Sequence, residues 1–86
     1  MKELEKVLKA LANRRRLAIV ALLRKERQMC VTDIARDIKL SVRSTSKHLA
    51  ILRQADVLER VQMSLVVYYF IPPSRPKALK AILPLV

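Results

Sequence analysis

The segment from Leu40 to Gln54, Leu-Ser-Val-Arg-Ser-Thr-Ser-Lys-His-Leu-Ala-Ile-Leu-Arg-Gln, has two faces that cannot be exchanged. At helical spacing Thr45, His48, Leu49 and Leu52 fall on one side, and Arg43, Ser46, Lys47, Ala50 and Gln54 on the other. Ser41 suits the N-cap, because its hydroxyl can accept from a backbone N–H of the first turn. The outer face carries a bidentate donor, an ammonium, a hydroxyl and an amide beside one small residue. That set lets a helix lying in a groove hydrogen-bond base edges and phosphates. A surface helix with a solvated basic face has the same pattern, so its neighbours decide the meaning.

Upstream, Leu4, Val7, Leu8 and Leu11 at i, i+3, i+4 and i+7 predict an amphipathic helix over about 2–12. Asn13 suits the cap of a second helix, whose run from Leu17 to Leu23 is apolar nearly all round and is expected to be deeply buried. Its first turn carries Arg14, Arg15 and Arg16, the wrong sign for a helix N-terminus. Solvation is the preferred reading for Arg14 and Arg15; the sharper one is that some of the three neutralise phosphate or pair with a carboxylate. Met29-Cys30-Val31 leans to β structure, and Thr32 is expected to cap a third helix carrying Ile34, Ala35 and Ile38. A tight turn at Lys39-Leu40 then enters the capped basic helix, which makes a helix-turn-helix over about 32–55.

Downstream, Leu58–Val61 and Leu65–Ile71 are rich in strand formers, with Gln62-Met63-Ser64 between them as a three-residue hairpin loop. A hairpin after a recognition helix is a wing, here over about 57–71. Pro72 and Pro73 close the second strand, since proline cannot continue a ladder. A last helix over about 75–84 starts at Ser74 or Arg75 with Pro76 in its first turn, is lined by Leu79, Ile82 and Leu83, and stops at Pro84. The expected fold is mainly α with a small β-hairpin: one winged helix-turn-helix domain over 1–86, in the order α-α-β-α-α-β-β-α.

Charge agrees with this reading. Lys and Arg number 18 against 7 Asp and Glu, a net charge of +11 on 86 residues, which calls for an acidic partner: nucleic acid first, an anionic membrane surface second. Hydrophobic residues make up 52% of the chain, too many for a disordered basic tail. One cysteine, Cys30, excludes an internal disulfide, and with one histidine it provides too few ligands for a His/Cys metal cage. The aromatic residues Tyr68, Tyr69 and Phe70 are adjacent, so they form no ring of base-stacking platforms for single strands. No enzyme is expected: the His and Cys are not placed with an acid to activate a nucleophile, and a chain without glycine has no glycine-rich phosphate loop. The run after Arg14–Arg16 imitates a secretory leader but sits too far in and ends in Arg24-Lys25-Glu26-Arg27; nothing approaches a transmembrane span of ~20 apolar residues.

Four segments carry a resemblance to the ArsR-type winged-helix repressors of bacteria and archaea. They are Leu8 to Val20, Cys30 to Ala35, Leu40-Ser41 with Ser46-Lys47-His48-Leu49-Ala50-Ile51-Leu52-Arg53-Gln54-Ala55, and Val67-Tyr68-Tyr69. They resemble, in turn, that family's opening, the lead into its third helix, its recognition helix and its second wing strand, in order and without gaps over roughly 4–71. The resemblance implies a homodimer joined through its first and last helices, with Leu4, Val7, Leu8, Leu79, Ile82 and Leu83 as contacts. It also implies binding to an inverted repeat in double-stranded DNA, and repression relieved by an inducer, often a metal ion. A cytoplasmic location in a bacterium or archaeon goes with this.

The departures from that family are specific. Its metal sensors carry Cys-Val-Cys where this chain has Cys30-Val31-Thr32, and the last helix here holds no histidine or carboxylate ligands. No metal site and no cofactor are therefore expected. Cys30 reads as a half-buried packing residue in preference to a sensor thiol. Relatives commonly place glycine at the positions of Lys39, Asp56 and Ser64, where a positive φ would cost lysine about 1 kcal/mol and aspartate less.

The candidate DNA contacts are Ser41, Arg43, Ser44, Ser46, Lys47, His48 and Gln54, with Arg60 and Gln62 on the wing. Arg43 is the expected base reader and Lys47 a phosphate holder. His48 is equally a packing histidine or a DNA contact. Val61, Met63 and Leu65 make the wing apolar where relatives carry arginines, which weakens its case for groove contact and opens one for a partner protein. Two other functions fit the same sequence: a winged-helix protein-interaction module, and a non-specific architectural DNA-binding protein.

Overall fold

A computed structural model of the chain describes residues 2–73 and 77–86. Helix α1 spans Lys2–Leu11 and α2 Arg14–Glu26; strand β1 is Gln28–Cys30; α3 is Val31–Ile38 and α4 Val42–Gln54; β2 is Glu59–Met63 and β3 Val66–Phe70; α5 is Lys77–Ile82, followed by a 3-10 turn Leu83–Leu85. The expected start of the last helix at Ser74–Pro76 lies outside the described residues. Pro84, expected to stop that helix, sits inside the 3-10 turn that follows it. No helix among the described residues is long and apolar enough to cross a membrane.

The strands form one antiparallel sheet in the order β1-β3-β2, so the expected hairpin gains β1 as a third strand. Cys30 pairs with Tyr68 and Met29 with Tyr69. Because the ladder runs through Cys30, the chain passes from strand to helix without a polar cap: Cys30 is extended and makes no side-chain cap bond, and α3 begins at Val31. Thr32, expected as the cap, lies in the first turn instead, its Oγ1 3.2 Å from Cys30 Sγ. The wing loop is also shorter than expected. Met63 pairs with Val66, which leaves only Ser64 and Leu65 as the turn. Ser64 has φ 61°, which lets a two-residue loop follow the twist of its strands.

Two turns place α4. After α3, Lys39 adopts φ 57°, ψ 50°, its N–H donates to Arg36 O, and Leu40 N–H donates to Ala35 O. After α4, Asp56 adopts φ 60°, its N–H donates to Arg53 O, and Val57 N–H donates to Leu52 O. Both are Schellman closures, which satisfy orphan carbonyls at a helix end and usually use glycine. With no glycine in the chain, lysine and aspartate take the left-handed position, as their places in the sequence suggested.

The core joins all five helices: Val7, Ile19, Val20, Leu23, Ile34, Leu49, Leu52, Val57, Leu58 and Leu79 are each at most 2% exposed. The run Leu17–Leu23 is not buried all round. Ile19, Val20 and Leu23 are buried in the core and Leu22 packs half-buried against it, while Leu17, Ala18 and Ala21 are exposed. Helices α1, α3 and α4 and strand β1 pack against α2, and the side carrying Arg14, Ala18, Ala21 and Lys25 stays exposed.

The arginines of α2 offset its unfavourable first turn by serving other helices. Arg16 Nε donates to Ala10 O and Nη2 to Lys9 O, both carbonyls of the last turn of α1; Lys9 O also accepts from Ala12 N–H. Arg15 Nη1 donates to Ile38 O at the end of α3, 3.1 Å away. Arg24 Nη1 donates to Leu83 O in the turn after α5, 2.6 Å away. A guanidinium at a helix C-terminus satisfies carbonyls and meets the negative end of the dipole. Arg15 is therefore half-buried and hydrogen-bonded, not the solvated side chain expected; Arg14 is exposed. Asn13 caps α2 as expected, with Oδ1 accepting from Arg15 N–H and Arg16 N–H.

Candidate nucleic-acid interface

Helix α4 starts where the sequence placed it. Ser41 is extended and its Oγ accepts from Ser44 N–H at 3.1 Å. Thr45, Leu49 and Leu52 are buried and His48 is half-buried, while Arg43, Ser46, Lys47, Ala50 and Gln54 are exposed. These five recur at i, i+3, i+4, i+7 and i+11, one stripe along the helix. Ser41 and Ser44 share the cap hydrogen bond, which leaves Ser44 half-buried and Ser41 exposed.

The stripe divides into two parts. Arg43, Ser46 and Lys47 occupy the first two turns, next to the cap. Gln54, about 16 Å further along the axis, instead lines a small pocket against α1 with Lys6, Lys9, Arg16 and Ile51. A helix in a major groove reaches base edges with three or four side chains. The group Ser41, Arg43, Ser46 and Lys47 has that size, and Gln54 stands apart from it.

His48 is held from behind. Arg16 Nη1 lies 3.2 Å from His48 Nδ1. A guanidinium only donates, so Nδ1 accepts and the ring proton sits on Nε2. Burial lowers the His48 pKa below its ordinary 6.5, and the charges of Arg16 and then Arg15 lower it further. His48 is thus a neutral imidazole that ties α4 to the end of α1 through Arg16. The sequence left it open between packing and DNA contact; its Nδ1 is spent on packing, and Nε2–H remains a donor. Sequence reading missed Arg16 as the organising residue, although a basic residue just beyond the end of α1 was a signal for C-capping.

On the wing, Arg60 and Gln62 are exposed on β2, the outer strand of the sheet among the described residues. Arg60 is opposite Tyr69 and Gln62 opposite Val67, so these four share one face of the ribbon. Gln62 Nε2 donates to Ser64 O at 3.3 Å, across the turn. Val61 and Met63 take the other face with Tyr68 and Val66, and Leu65 at the tip is 93% exposed.

Of the six expected dimer contacts, Val7, Leu79 and Leu83 are at most 6% exposed within the single chain, because α5 packs on α1 and consumes them. Leu4 and Ile82 are half-buried and Leu8 is 48% exposed. Leu4 and Leu8 line a shallow groove on α1 with Ala12. Among the described residues, no three His, Cys, Asp or Glu side chains are grouped to hold a metal ion.

Residues 13–60 match the family model described as bacterial regulatory protein, arsR family. The chain is 43% identical over 63 residues to the cadmium resistance transcriptional regulatory protein CadC of Listeria innocua, covering 73% of this chain and 53% of that protein. It thus spans about half the length of the curated relatives it matches. The transcriptional repressor PagR of Bacillus anthracis superposes with a TM-score of 0.83 at 32% identity, covering 98% of this chain and 92% of that one. A homodimeric winged helix-turn-helix DNA-binding domain of Mycobacterium bovis superposes with a TM-score of 0.83 at 27% identity, covering 98% of this chain and 74% of that one.

Proposed function

Because the chain belongs to the arsR family of bacterial regulatory proteins, we propose that it is a homodimeric, sequence-specific reader of double-stranded DNA that represses transcription from an inverted repeat. The observation that carries this reading is the exposed group of Ser41, Arg43, Ser46 and Lys47 on a capped helix whose far face is locked into the core. Arg43 grips guanine O6 and N7, Lys47 holds phosphate, and Ser41 and Ser46 contact phosphates or nearby edges. Ser44 and His48 support them from the half-buried flank, with Nε2–H of His48 as the free donor. Arg60 and Gln62 are the wing's polar contacts.

In the dimer, Leu4, Leu8 and Ile82 meet their counterparts, and Val7, Leu79 and Leu83 form the packed layer beneath. This sets the two recognition helices one duplex turn apart, ~34 Å. The switch is not the family's soft-metal site, because Cys30-Val31-Thr32 supplies one thiolate where such a site needs two.

The exposed Leu65, Met63 and Val61 favour a second reading, in which the wing docks a partner protein. Selection of bound sequences from random duplexes, repeated across salt concentrations, separates the readings. An enriched inverted repeat with affinity falling steeply in salt is expected. Equal binding of all duplexes would make the chain architectural, and no DNA binding would leave the interaction module.

A further inference from the structure

The apolar run of α2 has a side that the fold does not use. Ala18 and Ala21 are exposed, in a run from Leu17 to Leu23 whose apolar composition suits burial on every side. That side borders α3 across an open groove of about 740 Å³ floored by Ala18, Ala21, Leu22 and Ile38. Arg14 stands at one end and Lys25 at the other. Positions 14, 18, 21 and 25 are i, i+4, i+7 and i+11, a single stripe about 16 Å long with a cation at each end and small residues between. We infer that this groove docks an amphipathic α-helix of a partner protein, one with a small-residue apolar stripe and carboxylates about three turns apart that meet Arg14 and Lys25.

Several features specify an acidic helix. Among the described residues, neither Arg14 nor Lys25 has a carboxylate within salt-bridge distance; the ion pairs are Lys9–Glu5 and Arg36 with Asp33 and Asp37. The first turn of α2 contains no acid, so a partner carboxylate beside Arg14 would also meet the positive end of the α2 dipole. Asp37, the acid on the groove's far wall, is turned to Arg36 at 3.6 Å. Alanines at 18 and 21 let a second helix approach closely, and interhelical distance is set by the side chains at the contact. The walls are already fixed to each other, because Arg15 donates across from α2 to Ile38 O. The groove shares no residue with the exposed stripe of α4 or with the α1 surface of Leu4 and Leu8.

The test uses the full chain and labelled synthetic helical peptides with a leucine–alanine stripe, bearing either glutamates or lysines about 16 Å apart. Fluorescence anisotropy is expected to show saturable binding of the glutamate peptide and none of the lysine peptide. Ala21→Glu should weaken the glutamate peptide at least about tenfold, roughly 1.4 kcal/mol. The double reversal Arg14→Glu with Lys25→Glu should exchange the preference between the two peptides. All three positions are exposed, and unchanged circular dichroism of the variants checks the fold. Equal binding of both peptides, binding of neither, or indifference to Ala21→Glu overturns the inference. A lower light-scattering mass for Ala21→Glu would make the groove a contact between copies, and weaker duplex binding would make it part of the DNA surface; either result also overturns it.

Discussion

Arg16 places one guanidinium nitrogen 3.2 Å from His48 Nδ1 while its Nε caps the Ala10 carbonyl, so one side chain ties the end of α1 to the middle of α4. The contact requires a neutral imidazole. Burial and the charges of Arg16 and Arg15 lower the His48 pKa in the folded chain. The unfolded chain therefore takes up the proton first, and this part of the stability, complete above about pH 6.5, is lost as pH falls towards the folded value. Urea denaturation should show lower stability at about pH 5.5 than at about pH 7.5. His48→Asn keeps an acceptor near Nδ1 but does not titrate, and should reduce that difference. An unchanged difference would show that other groups produce it.

Lys39 holds φ 57° in the Schellman closure between α3 and α4. A residue with a Cβ pays about 1–2 kcal/mol for the left-handed region, partly offset by the entropy glycine loses on folding. Lys39→Gly should raise stability by about 0.5–1 kcal/mol. Lys39→Ala, which keeps the Cβ, should not. Urea midpoints of the three proteins decide the matter, and equal midpoints for glycine and alanine would show that backbone strain is absent.

Thr45 is fully buried on the inner face of α4, and its Oγ1 has no hydrogen-bond partner among the described residues. Burying an unpaired hydroxyl costs about 1–3 kcal/mol by mutational measures. Thr45→Val keeps the shape and removes the polar atom, and should stabilise the chain by about 1 kcal/mol. Because the side chain faces the core, DNA affinity should not change with it. A loss of stability would place an unseen partner at Oγ1.

Local signals were legible in the sequence and tertiary ones were not. Ser41 and Asn13 announced their helices because a cap bonds within its own turn. Lys39, Asp56 and Ser64 stood where turns needed a left-handed residue, and each has a φ near 60°. Thr32 misled because the β1–β3 ladder, a long-range pairing, carries Cys30 straight into α3. The destinations of Arg15, Arg16 and Arg24 depend on which helix ends lie near α2, and no spacing within α2 encodes that. The run Leu17–Leu23 hid its open face because an all-apolar segment has no periodicity to show which side is covered.

The exposed α1 surface makes oligomeric state a sharp test. Leu8 is 48% exposed while its neighbour on the helix, Val7, is fully buried. Leu8→Glu should leave the monomer folded, since it disturbs no core contact, yet put two carboxylates into a two-fold contact, where like charges repel. Light scattering is expected to give about twice 9.9 kDa for the parent chain and a single-chain mass for the variant. DNA affinity should fall with it, as two half-sites become one. A monomeric parent would sink the dimer.

Along α4 the exposed polar side chains should differ in kind as well as in size. Lys47→Ala removes one phosphate contact, so affinity should drop for all duplexes alike and the slope of log K against log salt should shrink by about 1. Arg43→Ala removes the bidentate donor. It should cost about 1–3 kcal/mol on the preferred site and relax the choice of base at one position per half-site. Gln54 shares the stripe but faces the pocket against α1, about 16 Å along the helix axis from Arg43. Gln54→Ala should therefore leave both affinity and base preference close to the parent's. If Gln54→Ala instead relaxes specificity while Arg43→Ala does not, the duplex is read from the other end of the helix, and the reading based on the first two turns fails.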